Sequence, residues 1–314
     1  MLNSQRTFVD AVRKYCSERG IVVDVRSQGW LLMMQKGSER RFALGYDLGL
    51  NSSATHRIAN DKSATADVLE VCGIPCVPHT LFLSPKLSEY IPPAGSWEAM
   101  LQLLDENPNG IVVKPNEGTG GNSVFKVLTR SKLELAVSTI FSSNRSLAIS
   151  PYLVLDEEVR VVVIDYIPFV VYSKSRPSVV GDGKRSLLQL ALADMPSGKL
   201  SDILPDMLGD LDPSILDNVP LAGQRHTLNW RHNLGRGAEP VLLEQGPTWQ
   251  ACVDISLMAA RAISLRFGSV DVVQVDGTWR VLEINSGVMM EALSEQHPAL
   301  VDAVYHAALD KIFS

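Results

Sequence analysis

The stretch Ser269-Val-Asp271-Val-Val-Gln-Val275-Asp276-Gly277-Thr-Trp279-Arg-Val-Leu-Glu283-Ile-Asn285 reads as a β-hairpin. Asp-Gly between two β-branched runs is the composition of a tight two-residue turn. Side chains alternate along a strand, so Glu283 and Asn285, two residues apart, share one face. Across the turn, Asp271 can reach that same face. Three hard oxygen donors projecting together suit Mg²⁺ held jointly with phosphate groups. The polar, solvated face of an ordinary hairpin would use the same residues.

Further upstream, Ile111-Val-Val-Lys114-Pro115 runs into Asn-Glu-Gly118-Thr119-Gly120-Gly121-Asn122-Ser123 and then a strand over 124–128. A lysine ending a buried strand loses hydration unless an anion partners it. Successive glycines let backbone N–H groups fold over phosphate oxygens. The loop is not a Walker sequence, because no Gly-Lys-Ser/Thr follows and no helix opens after it. A glycine-rich hairpin turn without a ligand is the alternative. In Asn60-Asp61-Lys62, Asp61 is a helix N-cap, and Lys62 sits against the helix dipole unless a phosphate or solvent relieves it. Trp230-Arg231-His232-Asn233-Leu-Gly235-Arg236-Gly237 sets two arginines in a glycine-punctuated loop, suited to phosphoryl oxygens or to a solvated surface. His232 reads as a packing or hydrogen-bonding residue.

The remaining pattern is α+β. Helices are expected from Phe8 to Gly20, from Asp61 to Gly73, and over 96–105, 131–141, 249–267 and 299–312. Strands are expected over 21–25, 30–34, 41–44, 80–83, 111–114, 147–153, 159–164 and 169–174, with a turn at Tyr166-Ile167-Pro168 between the last two. Residues 195–219, rich in Asp, Pro and Leu, read as an inserted loop with short helices.

With 29 basic against 35 acidic residues, no global positive field argues for nucleic acid. No apolar run approaches the ~20 residues of a membrane span. Arg6, Asp10, Arg13 and Lys14 rule out a secretory leader, and four scattered cysteines read as reduced thiols, so a cytoplasmic protein is expected.

Taken in order, Lys62, Val-Lys114-Pro with its glycine loop, Glu158-Val-Arg160, Arg231-x-Asn233 and Asp271…Glu283-x-Asn285 resemble the ATP-grasp superfamily, closest to its RimK-like and cyanophycin-synthetase-like peptide ligases. Ser175-Arg-Pro-Ser-Val-Val-Gly-Asp-Gly183 strengthens the second likeness. The resemblance covers roughly residues 55–290. It implies an ATP-grasp fold in three parts: an N-terminal subdomain over 1–60, a first grasp subdomain over 61–153 and a second over 154–314. It implies a carboxylate–amine ligase that works through an acyl phosphate, using ATP and Mg²⁺, with Mn²⁺ as a substitute. Lys62 and Lys114 match the phosphate-contacting lysines, and Gly118, Thr119, Gly120, Gly121, Asn122 and Ser123 the phosphate-covering loop. Tyr152 and Leu153 match the adenine hinge, and Glu158 the ribose-holding acid. Arg160, Arg231 and Asn233 match groups directed at phosphoryl or acyl-phosphate oxygens; Asp271, Glu283 and Asn285 match the metal ligands. The substrates implied are an amino-acid or peptide carboxylate and an amine, possible in a homo-oligomer. A phosphotransferase on the same fold and a non-catalytic nucleotide-binding module are the competing readings. Two departures stand out: Ser150-Pro151 at the hinge, and Ser286-Gly-Val-Met-Met where many relatives have Ser-Pro-Gly.

Overall fold

The computed structural model describes residues 6–87, 96–118, 120–194, 204 and 213–314. The chain divides into two compact units, one of residues 1–172 and 242–314, the other of residues 173–241.

The first unit opens with α1 (Thr7–Glu18), then β1 (Val22–Arg26), β2 (Leu31–Lys36) and β3 (Glu39–Leu44), an antiparallel sheet in that order. Helix α1 lies against the C-terminal helix Pro298–Ile312, where Phe8 and Tyr305 pack edge to face at 5.0 Å and Tyr15 donates to Asp310. Helices α2 (Ser53–Asn60) and α3 (Lys62–Val71) follow directly on each other. Ser52 and Asp61 cap them, accepting from the N–H groups of Thr55 and Ala64.

Next come β4 (Thr80–Leu83), α4 (Trp97–Glu106), β5 (Ile111–Pro115), β6 (Phe125–Val127), α5 (Arg130–Ser143) and β7 (Ser146–Pro151). Their strands form a sheet ordered β4-β7-β5-β6. Phe82, Ile111, Val113, Leu147 and Ile149 on its inner face pack on Leu133, Ala136 and Ile140 of α5.

Strands β8 (Glu157–Ile164) and β9 (Ile167–Ser175) begin the larger sheet, and β9 runs on into the second unit. There β10 (Ser178–Val180) and α6 (Leu187–Asp194) precede the helix Pro213–Leu216, β11 (Arg225–Thr227) and β12 (Glu239–Leu242). Val179, Leu187, Leu190, Leu216 and Leu228 form that unit's own small core.

Back in the first unit, the helix Pro247–Ala262 leads into β13 (Phe267–Val275) and β14 (Thr278–Asn285). Asp276 and Gly277 form the turn, with φ of 48° and 73°, as the Asp-Gly pair requires. The sheet is valine-rich on one side. Val159, Val161, Val163, Val270, Val272, Val281 and Ile284 bury there against Val253, Ala259 and Ala260 of the long helix.

The structure redraws several sequence expectations. The helix expected over 249–267 stops at Ala262: Leu265 N–H returns to the Ala260 carbonyl, Ser264 takes φ 58°, and Phe267 already belongs to β13. The turn between β8 and β9 is Asp165-Tyr166, with φ of 47° and 63°, not 166–168. A turn with both residues in that region matches strand twist, and Pro168 is accommodated near the start of its strand. Helices Ser53–Asn60 and Glu291–Gln296 are additional. By compactness the chain divides at 172 and 242, and Ala59, Leu69 and Ile74 bury in the same core as Val159 and Val161. Of the expected insert over 195–219, residues 195–203 and 205–212 lie outside the described residues.

At Gly268 the strand start passes so close to β14 that a Cβ would lie 2.5 Å from the Asn285 carbonyl oxygen and 2.8 Å from Leu265. Gly268→Ala is therefore expected to destabilise the protein by about 1–3 kcal/mol. Urea unfolding at constant m-value measures it, and an unchanged midpoint contradicts the contact.

Candidate active site

The other side of the larger sheet is polar, and strand register lays it out. Arg160 on β8 stands opposite Asp271 on β13, and Asp271 opposite Glu283 on β14. Two residues along, Val162, Ser269 and Asn285 repeat the alignment. A two-residue turn pairs Val275 with Thr278 and Val272 with Val281, which by alternation alone would carry Asp271 onto Leu282. Instead the register shifts between Asp271 and Val272, and Leu282 is the extra residue of a β-bulge. The bulge brings Glu283 and Asn285 to the face of Asp271, as expected from the sequence, though strict alternation does not deliver it.

Arg160 Nε and Nη2 each donate to an Asp271 oxygen at 2.7 Å, with side-chain exposures of 14% and 0%. Burial opposes the guanidinium charge, but Asp271, with Tyr172 and Glu283 beside it, holds its pKa well above the usual value. Thus two residues expected to face phosphate and metal also hold each other.

Lys62, the first residue of α3, turns back over the glycine loop. Its Nζ donates to the carbonyls of Gly118 at 3.0 Å and Asn116 at 3.4 Å, while Ser63 N–H donates to Asn116 Oδ1. Asp61 and Glu117 form a backbone bridge. The cation that the sequence set against a helix dipole is therefore held on carbonyl oxygens at the mouth of the loop. In that loop Gly120, Gly121 and Ser123 take φ of 80°, 72° and 55°; Asn122 is exposed, and Thr119 lies outside the described residues. A small cavity is lined by Asn60, Lys62, Thr65, Gly118, Glu283 and Asn285, so the loop and the polar face of β14 open onto one space.

Lys114, next to last in β5, has 7% exposure. Burial pushes its pKa down to about 8, against the pull of Glu283, with Lys62 adding repulsion and Glu158 attraction. Glu158 is buried and stands opposite Val273. Tyr152 N–H donates to Gly110, and Lys126 Nζ sits 3.6 Å over the Tyr152 ring. Leu153 packs against the cluster of Val77, Val273 and Val275. One neighbour was not foreseen: His79, buried at the entry to β4, has an Nε2 without a partner, and burial together with Lys114 and Lys62 keeps it neutral. It belongs to no motif, and its interest lies in its burial within the field of the two lysines.

In the second unit, the Arg231 guanidinium lies 4.7 Å over the Trp230 ring, and Arg231 N–H donates to Asn229 Oδ1. Asn233 Oδ1 accepts from Gly235 N–H. His232 is buried with Nδ1 2.7 Å from the Lys174 carbonyl, and burial pushes its pKa down to about 4. Asn229, which belongs to no sequence motif, has its Nδ2 buried without a partner.

The donor chemistry fits a divalent cation of the magnesium type: the carboxylates of Asp271 and Glu283 and the side-chain amide oxygen of Asn285 share one face, all hard oxygen donors. Among the described residues, no group of three or more His, Cys, Asp or Glu is disposed to hold a metal, and no helix is long and apolar enough to cross a membrane.

No family model matches the chain, and no curated protein sequence matches it. Among solved structures it is similar to a bifunctional glutathione synthetase from Pasteurella multocida, with TM-score 0.55 and 16% identity over 96% of this chain and 44% of that one. It is also similar to D-alanine–D-alanine ligase from Bacillus anthracis, with TM-score 0.54 and 16% identity over 83% and 70% of the two chains. The same ligase complexed with ATP gives 0.52 over 84% and 67%. The chain thus spans less than half the length of the glutathione synthetase. These likenesses show the fold, and it is the α+β ATP-grasp fold.

Because the folded pKa of Lys114 lies below its unfolded value, the unfolded chain binds more protons between about pH 8 and 10.5. The contribution of this group to stability therefore rises with pH through that window and is least favourable below it. In a titration of ε-¹³C-labelled lysines, Lys114 is expected to titrate near pH 8, apart from the rest, and to move upward when Mg-ATP binds. A Lys114 signal unmoved by Mg-ATP contradicts a phosphate role.

Proposed function

We propose that this chain is an ATP-dependent ligase that phosphorylates a carboxylate and joins it to an amine, releasing ADP and phosphate. The observation that carries the proposal is the single cavity lined by Lys62, Gly118, Glu283 and Asn285. A phosphate-covering loop and a metal-binding face are useful to each other only when they share a space. Lys114 adds a buried cation coupled to Glu283 and Lys62.

A carboxylate is a poor electrophile because it is anionic and resonance-stabilised. Phosphorylation replaces its charge with a leaving group, and the protein's task becomes positioning and charge neutralisation. In this reading Lys62 and Lys114 bind phosphate oxygens, and residues 118–123 close over them to exclude water. Tyr152 and Leu153 border the adenine, and Glu158 holds the ribose. Asp271, Glu283 and Asn285 would hold Mg²⁺, with Mn²⁺ as a substitute; when bound, the ion offsets charge on the terminal phosphates. Asp271 has a second duty, since its carboxylate fixes the plane of Arg160 and so aims any remaining N–H of that guanidinium. Arg231 and Asn233 are assigned to the transferring phosphoryl and tetrahedral oxygens. The substrates proposed are an amino-acid or peptide carboxylate and an amine.

ATP turnover across a panel of amino acids and dipeptides tests this, reading ADP, free phosphate and product mass separately. Substrate-dependent ADP and free phosphate with a new amide are expected. Glu283→Ala is expected to lower kcat/KM by about 10³-fold or more with an unchanged circular dichroism spectrum. A stable phosphate ester as product, or a variant within threefold of the parent, overturns the assignment.

A further inference from the structure

The cavity shared by Lys62, Gly118, Glu283 and Asn285 has one polar wall residue that the phosphate and metal assignments do not use: Asn60, the last residue of α2. Two of its neighbours are turned to backbone. Lys62 Nζ donates to the carbonyls of Gly118 and Asn116, and Thr65 Oγ1 donates to the Ile58 carbonyl at 2.6 Å. Asp271 is wholly buried, and each of its oxygens accepts from Arg160 at 2.7 Å. The side chains that bring oxygen to the wall of this cavity are therefore Glu283, Asn285 and Asn60, the first two from β14 and the third from a helix end facing it.

The orientation of the Asn60 amide is set by His56, one turn back on the same helix. His56 Nδ1 lies 2.9 Å from Ser286 Oγ and 3.5 Å from Asp47 Oδ2. A carboxylate only accepts, which puts the ring proton on Nδ1. Nε2 then presents a lone pair, and Asn60 Nδ2 donates to it at 3.1 Å. With its nitrogen turned to the ring, Asn60 has Oδ1 left for the cavity. Both supports of the ring are themselves fixed: Asp47 Oδ1 accepts from Gly49 N–H at 2.8 Å, and Ser286 is fully buried directly after Asn285. A plain surface bond between residues four apart on a helix needs only His56 and Asn60. Here the other ring nitrogen is tied to residues 47 and 286, which fixes the ring and, through it, the amide.

We infer that Asn60 Oδ1 is a further oxygen ligand of the divalent cation, and that His56, backed by Asp47 and Ser286, is its positioning residue. The inference rests on the reading of the polar face proposed above and adds to it a ligand from a different element. Cations of the magnesium type take oxygen donors only, and few of them from protein when phosphates supply the rest. A neutral amide oxygen adds a donor without adding negative charge beside the phosphates. A hydrogen bond to the far side of a ligand, from a group held in its turn, is the usual way such a donor is aimed.

Metal binding tests this without turnover. Mn²⁺ is titrated into the full chain with one equivalent of a non-hydrolysable ATP analogue, and free Mn²⁺ is read from its electron paramagnetic resonance signal, with the analogue alone as reference. The parent is expected to bind Mn²⁺ more tightly than the analogue alone, and Glu283→Ala to lose that gain. Asn60→Ala is expected to weaken Mn²⁺ binding about tenfold, whereas Asn60→Asp, which keeps an oxygen at the same place, stays within about twofold of the parent or binds more tightly. His56→Ala is expected to weaken binding about threefold in the parent and to add nothing in the Asn60→Ala background, because it acts through that amide. Asn60→Ala within twofold of the parent, or Asn60→Asp as weak as Asn60→Ala, overturns the ligand assignment while leaving the polar face as the cation site. A further loss from His56→Ala in the Asn60→Ala background overturns the positioning role. A parent no tighter than the analogue alone, or a Glu283→Ala variant equal to the parent, overturns the reading of the polar face and this inference with it.

Discussion

A single extra residue in β14 decides which chemistry this sheet can do. The Asp276-Gly277 turn fixes the register of β13 and β14, and strict alternation from it would send Glu283 and Asn285 into the valine core. The bulge at Leu282 reverses the parity of the last strand residues, so that Glu283 and Asn285 emerge opposite Asp271 and Ser269 while Ile284 turns into the core. A bulge also increases local twist and bends its strand. Here that occurs where the polar face must meet the loop at Gly118.

The bulge has an electrostatic consequence. Asp271 has no exposure at all, and an unpaired carboxylate in such a position would not remain ionised. Arg160, directly across β8, supplies both hydrogen bonds, and the pair gives the polar face a rigid centre. Around it the charges are less comfortable. Lys114 is buried near Lys62, with Glu283 and Glu158 as counter-charges, and His79 stays neutral beside both lysines. Holding two cations this close costs stability, a common relation between stability and function at polar sites.

Much of this was legible in the sequence, for identifiable reasons. Asp-Gly between valine-rich arms specifies its turn locally, as Asp61 specifies the start of α3, so the elements bearing Lys62, Glu283 and Asn285 could be placed. The bulge could not, because it is set by pairing between strands and leaves no mark on residue type. Where strand and helix periodicities overlap in an apolar run, the left-handed Ser264 ends the helix, and only tertiary packing shows it. His79 and Asn229 carry no motif; their interest lies in buried atoms without partners. That α3 and the Ile74 segment share a core with a sheet far along the chain is likewise set by tertiary packing and not by local sequence.

In the proposed reading, the polar face of β13–β14 holds a metal–nucleotide complex. Crystals grown with Mn²⁺ and a non-hydrolysable ATP analogue, measured for anomalous scattering at the manganese edge, test it most directly. A manganese peak is expected between the nucleotide phosphates and the side chains of Glu283 and Asn285. Nucleotide bound with manganese at any other group of residues would contradict it.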